Sequence, residues 1–532
     1  MATIEQLLPG GSGAPAYTLA LRDSQYLVYH VGGALLTRVL GDAVEANRAL
    51  LVLVAIAWPL AVRSLLRSLG RDDRGAVFAP MVFWNRALLV GFLPFVASLP
   101  LAVFTVAVSI RQARGSTHAD PPEAGRTKTH ADPPEAGRTK THADPPEAGR
   151  TKTYARGAFL ALLSFVLFYT HLSAWLAASA ISGAIALASC FTERDDQGRR
   201  SWRPLVAVAP TLVPSAIAAI VWWSAASLAI KGQESTDVDR SRLIDALNLM
   251  PPWTFDVWTG HLDEAAACGW WLAYAIMAAA GLREKPEARG RWVVATLPFA
   301  IAAVIYLATP FRVGAAGLLN VRLAPLVTLF ALVALRPRND RVGTIALGLV
   351  SAATLFEAGS NVFEMRRVAR ENIGEIDALV STMKHGSRVA ILNFAGGPRR
   401  MFEWPYPFAG SLHRTRGGGI VAFSFVEVPH WSVHYAHGEG PPARPFLWVY
   451  NPCAYRFEDG RYYDYVLVQG AVEPWPPRTP GPPFAPVAHA GVFTLFAKVE
   501  GPALDVEDRS PCLPPPQSSD GGADATSDAG AP

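Results

Sequence analysis

The sequence predicts an α-helical polytopic membrane domain of about ten spans, followed by a small extracytoplasmic α/β domain and a disordered tail. Three observations carry this expectation. The apolar residues fall into long blocks, the arginines fall between alternate blocks, and the composition changes character near residue 366. Hydrophobic residues make up 51% of the 532 and charged residues 17%, with a mean hydropathy of +0.20. Those averages hide a split between an apolar region, 1–366, and a region, 367–502, with the charge, proline and glycine of a soluble module.

The blocks ALLVLVAIAWPLAV (49–62), ALLVGFLPFVASLPLAVFTVAVSI (87–110), GAFLALLSFVLFYTHLSAWLAASAISGAIALASCF (157–191) and LVAVAPTLVPSAIAAIVWWSAASLAI (205–230) are too long and apolar for strands or ordinary core helices. A spanning helix needs roughly 20 mostly apolar residues. Only helices and closed barrels satisfy their backbone in lipid, and barrel strands would alternate polar with apolar. Orientation follows from the basic loops, because short cytoplasmic loops collect Lys and Arg. Arg63, Arg67, Arg71 and Arg74 form the first such loop, and Arg194, Arg199, Arg200 and Arg203 the second. Arg283, Lys285, Arg289 and Arg291 form the third, and Arg336, Arg338 and Arg341 the fourth. An even number of spans must separate each loop from the next. The block 76–110 therefore splits into two spans near Asn85 and Arg86, and 157–191 splits near His171. Spans 205–230, 263–282, 292–309, 321–335 and 343–360 complete the set and leave 367–532 outside.

Parity also puts residues 1–48 outside, yet nothing upstream of the first span resembles a signal peptide or a spanning helix. The expectation is a later start than the true one, with a first helix lost upstream. Residues 117–152 are three identical copies of THADPPEAGRTK. With no large apolar residue they can bury nothing, so 111–156 is expected to be a disordered cytoplasmic loop produced by tandem duplication. The tail, 503–532, is expected to be disordered for the same reason.

Several function classes are excluded early. A net charge of +4 with no Lys/Arg-rich stripe argues against nucleic acid as a partner. Four cysteines are too few for a disulfide scaffold or a zinc site of paired CxxC type. Cys453 and Cys512 could pair only in an oxidising compartment. Arginine far outnumbers lysine, as in chains from GC-rich bacterial genomes. His430, His434 and His437 in PHWSVHYAH invite a metal reading, but no Glu follows the first His as a zincin requires. No metal and no cofactor are expected. The external module reads as α/β, with a helix at 369–383 and strands at 387–394, 418–425, 445–450, 464–470 and 491–499.

Several stretches resemble the polytopic glycosyltransferases of the GT-C architecture, in an uncharacterised bacterial branch. The run YLVYHVGGALLTRVLGDAVEANRALLVLVAIAWPLAVRSLLRSLG (26–70) is similar to the first external amphipathic helix and the span after it, and VFWNRALLVGFLPFVASLPLAV (82–103) to the next helix pair. FYTHLSAWL (168–176) resembles a helix end at the outer face, and YLATPFRVGAAGLLNVRLAPLVTLF (306–330) an outer loop entering a span with Arg. The resemblance covers about residues 20–370, with an external amphipathic segment at 20–48. It implies transfer of a sugar from a polyprenyl-phosphate carrier to an envelope glycan or lipid acceptor, in a multi-pass protein of the bacterial plasma membrane.

That chemistry needs a carboxylate to deprotonate the acceptor and cations to hold the departing phosphate. The resemblance puts the carboxylate on the first external loop, where Asp23 is favoured and Asp42, near Glu45, is the second candidate. Arg322 is the foremost cation, since Arg in a membrane segment is costly and normally paired or functional. Arg86 and Asn85, between two apolar runs, are further binding candidates. His171 could contact substrate, and His30 shares a helical face with Tyr26. The bland alternatives are a solvated amphipathic face for Asp42, snorkelling for Arg322 and packing for the histidines. Two other functions stay open: a catalytically silent GT-C-fold protein assisting envelope glycan assembly, and a transporter. Internal repeats and polar midplane residues, which favour transport, are not evident.

Overall fold

The structure, a computed structural model, describes residues 1–8, 14–20, 24–115, 147–192, 197–230, 238–239, 243–282, 289–313, 317–334, 341–395, 401, 409–422, 426, 431–441, 448, 452–455, 457–470 and 483–501. It divides into two compact units. Unit 1 comprises Met1–Arg370, Gly397–Tyr406 and Phe425–Gly440; unit 2 holds Glu371–Gly396, Pro407–Ser424 and Pro441–Pro532. The expected boundary at 366/367 therefore holds only in outline, because two later segments belong to the helical unit.

In chain order, unit 1 begins with helix α1 (Ala2–Leu7), strand β1 (Tyr17–Leu19), α2 (Leu27–Leu40) and α3 (Ala43–Ser68). Short helices α4 (Ala79–Val82) and α5 (Arg86–Leu89) precede α6 (Leu93–Gly115), α7 (Glu147–Phe168), α8 (Leu172–Thr192) and α9 (Arg203–Ile230). Then come β2 (Val238–Asp239), α10 (Leu243–Phe255), α11 (Leu262–Leu282), α12 (Arg289–Ala308), β3 (Arg312–Val313), α13 (Ala324–Ala331) and α14 (Arg341–Asn372). Five helices are long and apolar enough to cross a membrane: Ala43–Ser68, Leu93–Gly115, Leu172–Thr192, Arg203–Ser224 and Arg341–Asn372. Shorter apolar helices lie at Thr153–Phe168, Thr296–Ala308 and Val321–Ala331. Many large apolar side chains face outward, Val52, Leu53 and Ile56 on α3 and Val213, Ile217 and Ile220 on α9 among them, as befits helices whose solvent is lipid.

Two segments expected as smooth spans are broken. The first half of the 76–110 block forms a 3-10 turn (Asp73–Phe78), α4 and α5 rather than one helix. Its sequence explains the break: Pro80 removes a donor, Asn85 is an extended N-cap, and Gly91 sits at φ +87°, a region favouring glycine. The chain still returns along the length of α3. Arg111 Nη2 donates to Ser64 Oγ at 3.0 Å and Arg114 Nη1 to the Ser68 carbonyl at 2.5 Å. The carboxyl ends of α3 and α6 thus lie together, the two helices run parallel, and 69–92 must connect opposite ends. Likewise 321–334 consists of a 3-10 turn, α13 and a second 3-10 turn, set by the Asn320 cap and Pro325. Helix α7 starts at Glu147, inside the stretch expected as loop; residues 116–146, with most of the repeats, lie outside the described residues.

Unit 1 also contains strand β6 (Val433–Tyr435), antiparallel to β1 with Thr18 opposite His434 and Tyr17 opposite Tyr435. Late chain is thereby fixed to the amino-terminal segment of the same unit.

Unit 2 is a five-stranded sheet in the order β5-β4-β7-β9-β8, from β4 (Arg388–Asn393), β5 (Ile420–Val421), β7 (Tyr465–Gln469), β8 (Phe484–Ala490) and β9 (Phe493–Lys498). Strands β5, β4 and β7 are parallel; β9 and β8 continue antiparallel. Alternation divides the strands between two cores. Val389, Ile391, Leu467 and Leu495 pack under α15 (Ile376–Thr382). Ala390, Leu392, Val466 and Val468 meet Trp448, Tyr455 and Tyr463 on the other face. Helix α16 (Leu412–Gly417) leads to β5 through Gly419, where a Cβ would come within 1.9 Å of the Ser387 carbonyl. No larger residue fits there. The expected strands at 387–394, 418–425, 464–470 and 491–499 match four of these in position; 445–450 lies largely outside the described residues, and β8 was not anticipated. Cys453 is disulfide-bonded, whereas Cys190 and Cys268 of unit 1 are free.

Candidate functional site

Three of the residues singled out above, Arg322, His171 and His30, come together in unit 1. Arg322 stands in the 3-10 turn Val321–Leu323, whose first N–H is held by Asn320 Oδ1 at 2.8 Å. The preceding loop is bent by Leu318, the one non-glycine residue with positive φ (60°) among the described residues. Arg322 Nη2 donates to the Gly317 carbonyl at 2.6 Å, and its guanidinium carbon lies 3.7 Å from the centre of the Phe92 ring. Among the described residues no carboxylate pairs with it, and its buried Nε has no hydrogen-bond partner.

His171 occupies the turn between α7 and α8, its Nδ1 2.9 Å from Ser173 Oγ. Its ring lies 4.9 Å from Phe95 and 5.4 Å from Tyr26. Tyr26 caps α2 and is also 5.4 Å from Trp431, whose ring is in turn 5.1 Å from His30. The start of α2 is fixed against the end of α7 by Val28 N–H to the Tyr169 carbonyl. Burial, with the amino terminus nearby, pushes the His30 imidazole down to about 3, and its Nε2 has no partner among the described residues. Arg322 is close enough for its charge to act on both Tyr26 and His171. The result is one uncompensated cation against a wall of aromatic and imidazole rings. Such a site can receive an anion at Arg322 and a flat, partly apolar group against the rings.

The other expected residues serve differently. Asp42 is the N-cap of α3, its Oδ1 accepting from Val44 N at 2.6 Å and Glu45 N at 3.1 Å, while Glu45 pairs with Arg48. Asn85 uses its whole amide on backbone: Nδ2 donates to the Val82 and Phe83 carbonyls, and Oδ1 accepts from Leu88 N. Asp23 lies outside the described residues, as does His430. Of the other two histidines, His434 stands in β6 and His437 in the turn after it.

Arg86 grips a residue that sequence reasoning missed. Its Nε donates to the Asp256 carbonyl at 2.7 Å and its Nη2 to Asp256 Oδ2 at 3.0 Å. Burial pushes the Asp256 carboxyl up to about 6, against the pull of Arg86, and its buried Oδ1 has no partner among the described residues. Nearby, Asp263 accepts from the N–H groups of Val257 and Trp258 at 2.6 and 2.8 Å. Trp258 Nε1 donates to Asn361 Oδ1 at 2.7 Å, tying this turn to α14. No motif advertises Asp256; the signal was an isolated acid ending an apolar run, PPWTFDVW. Trp431 was missed because it joins the cluster only through the β1–β6 pairing. No family model, curated protein or solved structure matches the chain.

Proposed function

We propose that unit 1 is a GT-C-like glycosyltransferase that moves a sugar from a polyprenyl-phosphate carrier to an extracytoplasmic envelope glycan or lipid. The observation that carries this reading is Arg322: a half-buried cation, its Nε fully buried, without a carboxylate among the described residues and facing aromatic rings. An unpaired buried charge is costly and is kept where a ligand supplies the counter-ion. A carrier phosphate does so, and Tyr26 and Trp431 offer the aromatic surface that a sugar ring packs on. Arg322 then stabilises the charge that develops on the departing phosphate.

The reading counts ten crossings: α3, 69–92, α6, α7, α8, α9, α11, α12, 321–334 and α14. It puts the basic loops in the cytoplasm and the carboxy-terminal module outside a bacterial plasma membrane. The disulfide at Cys453 supports that side, because disulfides persist in oxidising compartments. The engagement of Asp42 as a cap favours a second reading, a catalytically silent GT-C-fold protein that binds the carrier and assists glycan assembly.

The test is binding of a fluorescent polyprenyl phosphate to the full chain in nanodiscs. Wild type binds; Arg322→Ala loses affinity while inserting normally; Arg322→Lys recovers part, lacking the planar fork. Release of polyprenyl phosphate from a polyprenyl-phosphate-hexose separates the enzyme from the silent binder. No carrier binding by wild type overturns both.

A further inference from the structure

Resting on that glycosyltransferase reading, we propose that Asp256 is the proton acceptor of the reaction and Arg86 the residue that positions it. Asp256 stands in the turn between α10 and α11, outside the spanning helices, with one carboxylate oxygen held and the other buried without a hydrogen-bond partner among the described residues. Arg86 makes two bonds to it, one to the main chain and one to Oδ2, so carboxylate and backbone are fixed together. Oδ1 is left without a partner among the described residues; this is the lone pair an acceptor hydroxyl needs.

Two connections bring this oxygen toward Arg322. Arg86 and Phe92 belong to one short segment, and Phe92 is the ring beneath the Arg322 guanidinium. Six residues separate them, through α5 and the turn at Gly91. From the other side, Thr254 Oγ1, two residues before Asp256, lies 3.5 Å from Thr328 Oγ1 on α13, the helix that follows the Arg322 turn. The step balances as written. The acceptor hydroxyl gives its proton to Oδ1, its oxygen bonds to the anomeric carbon, and the bond from that carbon to phosphate oxygen breaks. Its electron pair leaves with the phosphate at Arg322, and Asp256 later returns the proton to solvent.

The charged groups around Asp256 set its proton affinity. Arg86 on α5 lowers it, while Asp263 and Glu264 at the start of α11 raise it. His261 pairs with Glu264 at 2.8 Å, and Glu357 on α14 is coupled to Asp263. Burial outweighs Arg86, and a carboxyl near 6 is mostly ionised at neutral pH yet basic enough to take a proton.

Two measurements test the assignment on the full chain in nanodiscs. The first is carbodiimide labelling, which reports protonated carboxyls, mapped by mass spectrometry. Labelling of Asp256 should be half-maximal near pH 6, and Arg86→Gln should move that midpoint upward. The second is release of polyprenyl phosphate from a polyprenyl-phosphate-hexose. Wild-type release should rise through the same pH, and Asp256→Asn should cut it roughly 10²- to 10⁴-fold with carrier binding unchanged. Arg86→Gln should shift the rise to higher pH. Full release by Asp256→Asn, or a profile that Arg86→Gln does not move, overturns the assignment and leaves the glycosyltransferase standing. Loss of release in Asp23→Asn alone would transfer the role to Asp23. Absence of release in wild type overturns the assignment together with catalysis.

Discussion

The two ends of the helical unit treat their arginines in opposite ways. At the carboxyl end of α3, Arg63 and Arg67 share Asp73 at 2.8 and 2.7 Å, Arg74 pairs with Asp72, and Arg114 donates to the Ser68 carbonyl. These charges are half-exposed and mutually satisfied. At the other end, Arg322 is more deeply buried, rests on a ring and keeps a nitrogen open. Paired surface charges add little stability and mark orientation, whereas a buried charge left open lowers stability unless something binds it. The contrast separates the arginines that satisfy one another from the one left with an unpartnered nitrogen among the described residues.

Arg322→Met should break the contrast most sharply. Carrier binding should fall about 10- to 100-fold, the scale of a charge-assisted hydrogen bond, while the unliganded protein should melt at a higher temperature because an uncompensated charge is gone. A lower melting temperature would make Arg322 structural. The next effect is a pH dependence at the same end. The folded His30 is held near 3 against an ordinary 6.5, so the unfolded chain binds the extra proton between those values. The His30 contribution to stability is then complete above about 6.5 and declines as pH falls toward 3, with a slope approaching about 1.4 kcal/mol per pH unit; His30→Phe should make the total slope shallower by that contribution. Asn85→Ala removes a cap and two amide bonds inside the broken segment 69–92 and should cost about 0.5–2 kcal/mol, with carrier binding nearly unchanged. Asp73→Ala, at the satisfied end, should cost at most about 1 kcal/mol and leave binding untouched. A cysteine at Lys140 should label only from the cytoplasm and one at His489 only from outside; labelling from one side would collapse the distinction between the ends.

Much of this organisation could be read in advance because hydropathy is summed over a whole helix. The long helices at 43–68, 93–115, 172–192, 203–224 and 341–372 announce themselves by composition. The breaks at 69–92 and 321–334 do not, since Pro80, Asn85, Gly91 and Pro325 are few against many apolar neighbours. In the site, Arg322 was legible because a charge in an apolar run is conspicuous. Asp42 was ambiguous in sequence: an acid at a helix start can cap as well as act as a base, and its bonds to Val44 and Glu45 show the cap. Trp431 lies some four hundred residues from Tyr26 in sequence, and no local pattern links them. Asp256 draws its character from burial and from Arg86, 170 positions away, which one-dimensional periodicity cannot encode.

The break at 69–92 has a consequence for biogenesis. A continuous apolar helix can leave the translocon on its own, because its backbone is already bonded. A segment interrupted at Pro80, Asn85 and Gly91 bonds its backbone through turns rather than one helix and carries Arg86, to which lipid offers nothing. Asn85 supplies part of that backbone bonding from within, through the Val82 and Phe83 carbonyls. The two bonds from Arg86 to Asp256 form only once Asp256, 170 residues later, has been made. The pairing that holds this segment therefore joins parts of unit 1 made far apart in the order of synthesis. In vectorial folding of this unit, the Arg86–Asp256 contact comes after the synthesis of α10.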